Sequence, residues 1–158
     1  TEGPLLQTTV IAAPGLSGVP LPEALIRALL DLGYRAKRKK PASLDLLVTD
    51  DVEITRLNRR HLGIDAPTDV LAFEDGEMED GRVRLGDVAI SADTARRVAA
   101  ERGVSFDHEL AFYALHGMFH LLGMNDETDA ERAEMQRVQA KVMKEYGLER
   151  ADDLRDDL

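Results

Sequence analysis

One stretch limits what this chain can fold into more than any other: His116-Gly117-Met118-Phe119-His120-Leu121-Leu122-Gly123-Met124-Asn125-Asp126. Two histidines stand four apart in an apolar run. Residues four apart lie on one helix face, one turn above the other, so His116 and His120 can bind a single ion. Gly123 can take the left-handed conformation that ends a helix. The chain can then turn back and bring Asp126 to the same ion. Two imidazoles and a carboxylate, with one position left for water, make a common catalytic zinc set. Leu115, Met118, Phe119, Leu121 and Leu122 supply an apolar shell that limits water at the ion. Asn125, Glu127 and Asp129 compete for the third position, and Asp126 has a second reading as the cap of the next helix.

The spacing follows the long metalloprotease motif H-E-x-x-H-x-x-G-x-x-H, with aspartate in place of the last histidine. That motif's glutamate is the base for peptide hydrolysis, and Gly117 stands in its place. The metal-holding pattern is kept and the protease base is not, which argues against a peptidase of that mechanism.

The rest of the chain reads as one α+β domain: a small mixed sheet packed with helices, with the metal helix in the C-terminal half. Leu6 to Ala13 is a first strand. Pro22 suits the first turn of a helix running to about Leu32, where Gly33 is expected to end it. Leu44 to Val48 is a short strand, and Asp50 or Asp51 caps a helix through Asn58. Asp69 to Phe73 and Arg84 to Ile90 read as a hairpin around the acidic segment Glu74 to Asp80. Ser91 or Asp93 caps a helix through Arg102, stopped by Gly103. Ser105 caps the helix with the histidine pair, and His108 reads as a partly exposed residue on it. Thr128 or Asp129 begins a last helix with Met135, Val138, Val142 and Met143 at helical spacing, closed by Gly147.

The 158 residues suit a single domain. There is no cysteine, so disulfides and thiolate ligands are excluded and any metal must use His, Asp or Glu. No basic region precedes an apolar run at the N-terminus, and Pro14, Gly15, Gly18 and Pro20 interrupt what apolar character it has. Neither a signal peptide nor a membrane span is expected, and the cytoplasm is the expected location. The net charge of −10 disfavours nonspecific nucleic-acid binding. The charge is uneven, however. Arg35, Lys37, Arg38, Lys39 and Lys40 form a basic run able to hold a phosphate backbone, while Glu74 to Asp80 and the tail from Glu149 to Leu158 are acidic.

The metal segment resembles the H-G-x-L-H-L-x-G-Y-D-H signature of the YbeY proteins, bacterial endoribonucleases of ribosomal RNA maturation. Two further matches follow the family's order. Leu57-Asn58 with Pro67-Thr68-Asp69-Val70-Leu71-Ala72-Phe73 resembles L-N…P-T-D-V-L-S-F. Leu85-Gly86-Asp87-Val88-Ala89-Ile90-Ser91 resembles L-G-D-I-x-I-S. The resemblance runs over roughly residues 40–147 of a single domain spanning 1–158. It implies an αβα-type fold, one zinc ion per chain, and cleavage of single-stranded RNA linked to small-subunit ribosomal RNA, with ribosomal proteins as possible partners and neither DNA nor membrane expected.

Two departures stand out. Asp126 occupies the position of the family's third histidine ligand. Aspartate still binds zinc, and its added negative charge weakens the ion as an electrophile and opens the site to a harder metal such as manganese. His61-Leu62 stands where the family places Tyr-Arg, an arginine thought to work with substrate. Arg59, three residues before Leu62, is a candidate replacement on the same helical face. Substrate contacts are expected from Arg59, Lys39 and Lys40. No catalytic side chain is assigned, since the ion would activate water or polarise a phosphate oxygen. A ribosome-associated factor with weakened or lost catalysis and a metal hydrolase of another substrate are the competing functions.

Overall fold

Strand β2 (Ala42–Thr49) shows how the chain sorts its two faces. Leu44, Leu46 and Val48 are buried on one side, while Asp45 and Leu47 alternate with them on the other and are only half-buried. That period of two makes β2 a strand with a heavily covered face and a lightly covered one. The computed structural model describes residues 3–148, so the acidic tail from Glu149 to Leu158 lies outside the described residues.

The other strands are β1 (Leu6–Ala12), β3 (Val70–Glu74), β4 (Met78–Glu79) and β5 (Arg82–Ser91). They form one mixed sheet in the order β1-β2-β5-β3, with β4 also paired to β5. β1, β2 and β5 are parallel, and β3 and β4 run antiparallel to β5. The helices are α1 (Glu23–Arg35), α2 (Asp51–Leu62), α3 (Ala92–Arg102), α4 (Phe106–Leu121) and α5 (Asp129–Glu145). α1 and α4 pack on the Leu44–Leu46–Val48 face, with α3 and α5 against α4. On the other face Ile54 of α2 packs with Leu71 and Ala89 in a second, smaller core. The result is the expected single α+β domain of αβα type.

α4 is the buried axis of the molecule. From His108 to Phe119 every residue is buried, because α1, α3, α5 and the sheet surround it. A helix enclosed on all sides has no solvent-facing stripe to fill, which accounts for the mostly apolar run from Leu110 to Leu121, interrupted by His116 and His120. Among the described residues no helix is long and apolar enough to cross a membrane.

Several expectations are corrected. Gly33 does not end α1, which continues to Arg35. A Cβ on Gly33 would lie 2.9 Å from Leu115 Cδ1 and 3.1 Å from Met118 Cε, so this glycine lets α1 approach α4 closely. α2 runs past Asn58 to Leu62, and Gly63 stops it. His108 is buried, not partly exposed: its Nε2 lies 2.9 Å from the Leu148 carbonyl. The acidic segment is exposed but includes β4, and Asp75 within it pairs with Arg84. Three capping alternatives are decided by side-chain bonds. Asp50 accepts from Glu53, Ser91 from Thr94, and Thr128 from Glu131, the last in a reciprocal capping box.

Candidate metal centre

The site begins with the end of α4. Leu122 caps the helix, and Gly123 follows with φ 90°, a conformation that suits glycine. The amides of Gly123 and Met124 donate to the carbonyls of His120 and Phe119 at 3.0 Å each. This closure satisfies the last carbonyls and turns the chain back on itself. Arg38 from the basic run also donates to the Leu122 carbonyl at 3.0 Å, placing a cation where the helix dipole favours one.

The returning chain brings Asp126 to both histidines. Its Oδ2 lies 3.4 Å from His116 Nε2 and 3.4 Å from His120 Nε2, and the two Nε2 atoms are 3.0 Å apart. Ligands about 2.0–2.1 Å from a tetrahedral zinc ion are separated from one another by roughly 3.3–3.4 Å. The three donor atoms therefore already stand close to the spacing that such an ion requires. Nitrogen and carboxylate donors suit zinc, and the carboxylate also suits a harder divalent metal.

The rivals for the third position are placed elsewhere. Asn125 faces the neighbouring cleft and bonds the Glu131 carboxylate, Glu127 is exposed, and Asp129 is exposed and paired to Arg132. Among the described residues, His116, His120 and Asp126 form the one group of three or more such side chains placed to hold an ion.

Burial grades the three donors. His116 is 3 % exposed, while His120 and Asp126 are half-buried. Burial, and then the neighbouring His120, hold the His116 imidazole below the ordinary histidine value; the Gln139 hydrogen bond and the Asp69 and Asp126 carboxylates oppose this. A neutral imidazole is the form that binds metal.

Gly117 acquires a structural meaning here. A Cβ at this position would lie 2.5 Å from Val88 Cγ1, 3.0 Å from Val70 Cγ2 and 3.2 Å from Val88 Cγ2. α4 lies so close to β5 and β3 that any side chain here would have to displace Val88 or the helix, which disfavours a glutamate at this position.

A cleft of about 500 Å³ opens beside the donors, lined by His120, Leu121 and Asn125, by β3 from Val70 to Glu74, and by His61 and Leu62 at the end of α2. The His61 ring sits 4.7 Å from that of Phe73, centroid to centroid. Leu62 is exposed. Arg59 is paired with Asp65 at 2.8 Å on the surface and does not line the cleft. Lys39 and Lys40 are exposed in the loop after α1, next in sequence to Arg38 with its contact to α4, and do not line the cleft. Asp69 accepts from the Val70 amide and from Thr68, while Asp87 pairs with Arg84.

Sequence reasoning missed His61 and Gln139. His61 enters the cleft because α2 extends beyond Asn58. Gln139 is 1 % exposed and its Oε1 lies 2.7 Å from His116 Nδ1. Its signal was present in the sequence: a polar residue set in the apolar stripe of Met135, Val138, Val142 and Met143.

The endoribonuclease YbeY family profile matches residues 21–147. The endoribonuclease YbeY of Moorella thermoacetica is 44% identical over 118 residues, 69% of this chain and 76% of that protein. The one from Roseiflexus sp. is 41% identical over 118 residues, 70% and 74% of the two chains. The one from Geobacter metallireducens is 42% identical over 125 residues, 77% and 79% of the two chains. The solution structure of TM1509 from Thermotoga maritima covers 96% of this chain and 97% of its own, with a TM-score of 0.56 and 21% identity, a likeness of fold alone.

Proposed function

The chain belongs to the endoribonuclease YbeY family, and from that premise we propose that it is a metal-dependent endoribonuclease that cuts single-stranded RNA during ribosomal RNA maturation, particularly that of the small subunit. The observation that carries the reading is the set of three donor atoms at tetrahedral spacing beside an open cleft. The whole chain, residues 1–158, would act as one RNA-processing domain, with its motifs between 40 and 147.

His116, His120 and Asp126 would hold the ion, zinc in the first instance, or manganese given the carboxylate. When bound, such an ion polarises a phosphate oxygen and lowers the pKa of water, so that water adds across a P–O bond. The residues of this chain do the rest. Two neutral imidazoles and one carboxylate cancel half of a divalent charge, leaving attraction for a phosphodiester. Leu115, Met118 and Phe119 are fully buried but face Gly33 of α1, and the buried Phe112 ring, 6.5 Å from that of His116 between centroids, helps exclude water behind the donors. The cleft between α2 and α4 would receive the strand, with His61 and Phe73 forming part of its wall. Lys39 and Lys40 would hold phosphates farther along, with Arg59 contributing if it leaves Asp65. Ribosomal proteins are the expected partners and the cytoplasm the expected location.

One observation favours a second reading, a ribosome-associated factor with weakened catalysis. Leu62 lines the cleft where the family resemblance implies an arginine, and Arg59 is occupied by Asp65. The test is to strip the protein of metal, reload it with zinc or manganese, and incubate it with single-stranded RNA. Cleavage by the loaded protein, and none by His116→Ala, supports the enzyme. Metal binding without cleavage, with activity appearing in Asp126→His, supports the weakened factor.

A further inference from the structure

We propose that Gln139 is a positioning residue of the candidate centre: its side-chain oxygen holds His116 in the Nδ1–H form and so presents Nε2 as a ready ligand atom before any ion arrives. The inference rests on the reading of His116, His120 and Asp126 as metal ligands.

Gln139 lies on α5, opposite α4, and is almost fully enclosed at 1 % exposure. A buried amide is costly unless bonded, yet only half of this one is satisfied. Oε1 meets His116 Nδ1 at 2.7 Å, while Nε2 has no partner among the described residues. The oxygen accepts a hydrogen bond only from a ring that carries its proton on Nδ1. His116 Nε2 then faces His120 Nε2 and Asp126 Oδ2 with a free lone pair, and His120 supplies the proton between the two rings. Turning the amide over would put an N–H against Nδ1, move the ring proton to Nε2, and block ligation. The orientation with oxygen on the ring is therefore the one that prepares a metal ligand.

The two histidines are prepared unequally. His120 is half-buried, and its ring meets both His116 and Asp126 through the same Nε2 that would bind the ion. His120 must lose or relocate a proton when metal enters, and His116 need not. Gln139 also supplies its acceptor without charge, so Asp126 remains the single anionic group in contact with the histidine pair. A residue that orients a ligand histidine in this way typically changes metal affinity by about 10- to 100-fold when removed.

The test is the ring-proton position in metal-free protein, read from two-bond 1H–15N correlations above the histidine titration range. Wild-type His116 is expected as the Nδ1–H form. Gln139→Met, close in shape but lacking the acceptor, should shift it toward Nε2–H and weaken zinc binding in chelator competition by about 10- to 100-fold. Gln139→Glu restores an acceptor and should keep the Nδ1–H form with no weaker binding. A purely structural role would leave the proton position unmoved in Gln139→Met. An Nε2–H form in the wild type, or unchanged affinity in a folded Gln139→Met, overturns the inference. If Gln139→Met does not fold, the wild-type and Gln139→Glu spectra decide it. Failure of the wild type to bind zinc would sink the metal reading, and the metal-free spectrum would still decide the role of Gln139.

Discussion

Replacing Gly117 by alanine sets two effects of known sign against each other. Alanine is the better helix former, and inside a helix the exchange is worth about 1 kcal/mol in its favour. The surroundings oppose it. The new methyl would stand 2.5 Å from Val88 Cγ1 and 3.2 Å from Val88 Cγ2, where carbon atoms prefer about 3.5–4.0 Å. Val88 is fully buried on β5, held between β2 and β3. Its side chain is stiff, and both of its methyls face the intruder, so rotation gives little relief. Overpacking of this kind costs about 1–3 kcal/mol, and contact with a central strand belongs at the upper end of that range. The net expectation is a loss of about 1–2 kcal/mol. Urea unfolding of metal-free protein should show a lower midpoint at unchanged slope. Combining Gly117→Ala with Val88→Ala should cost less than the sum of the two single changes, because the clash is then removed. Gly33→Ala, which meets the flexible ends of Leu115 and Met118, should lose less. A Gly117→Ala protein as stable as the wild type, or more so, would refute the argument that close approach of α4 to the sheet disfavours a side chain there.

Three further outcomes are expected. First, because the folded His116 imidazole is held below the ordinary value of 6.5, the unfolded chain binds the extra proton as pH falls through that value. Metal-free protein should therefore lose stability from about pH 6.5 downward until the folded group also protonates. Urea midpoints across that window, compared with His116→Gln, should show a flatter pH dependence in the variant; equal slopes would contradict it. Second, Asp126→Ala should weaken zinc far more than Asp126→His, which keeps a donor, and calorimetric titration distinguishes the two. Third, Lys39→Ala with Lys40→Ala should lower the salt slope of single-stranded RNA binding by about 1.4, since each phosphate contact contributes about 0.7; an unchanged slope would remove these lysines from the interface.

The donor set was legible because its signals are local. The 3.6-residue period put His116 and His120 on one face, and Gly123 told where the chain turns back. Caps were legible for the same reason, down to a choice between neighbours that only side-chain bonds resolve. What the sequence hid depends on distant partners. Gly33 reads as a stop until Leu115 and Met118 are found against it. Gly117 reads as a lost base until Val88 is found beneath it. His108 reads as half-exposed until the Leu148 carbonyl, far along the chain, is found at its ring. The cleft was invisible because it forms only where the end of α2 meets β3 and the end of α4, segments far apart in the chain.

The central claim is that one ion, held by His116, His120 and Asp126, drives RNA cleavage. It is tested most directly by adding metal in steps to stripped protein and measuring single-stranded RNA cleavage at each step. The account predicts no cleavage at the start, a linear rise, a break at one ion per chain, and no rise in His116→Ala. Cleavage by the stripped protein at the loaded rate, or an equal rise in His116→Ala, would contradict it.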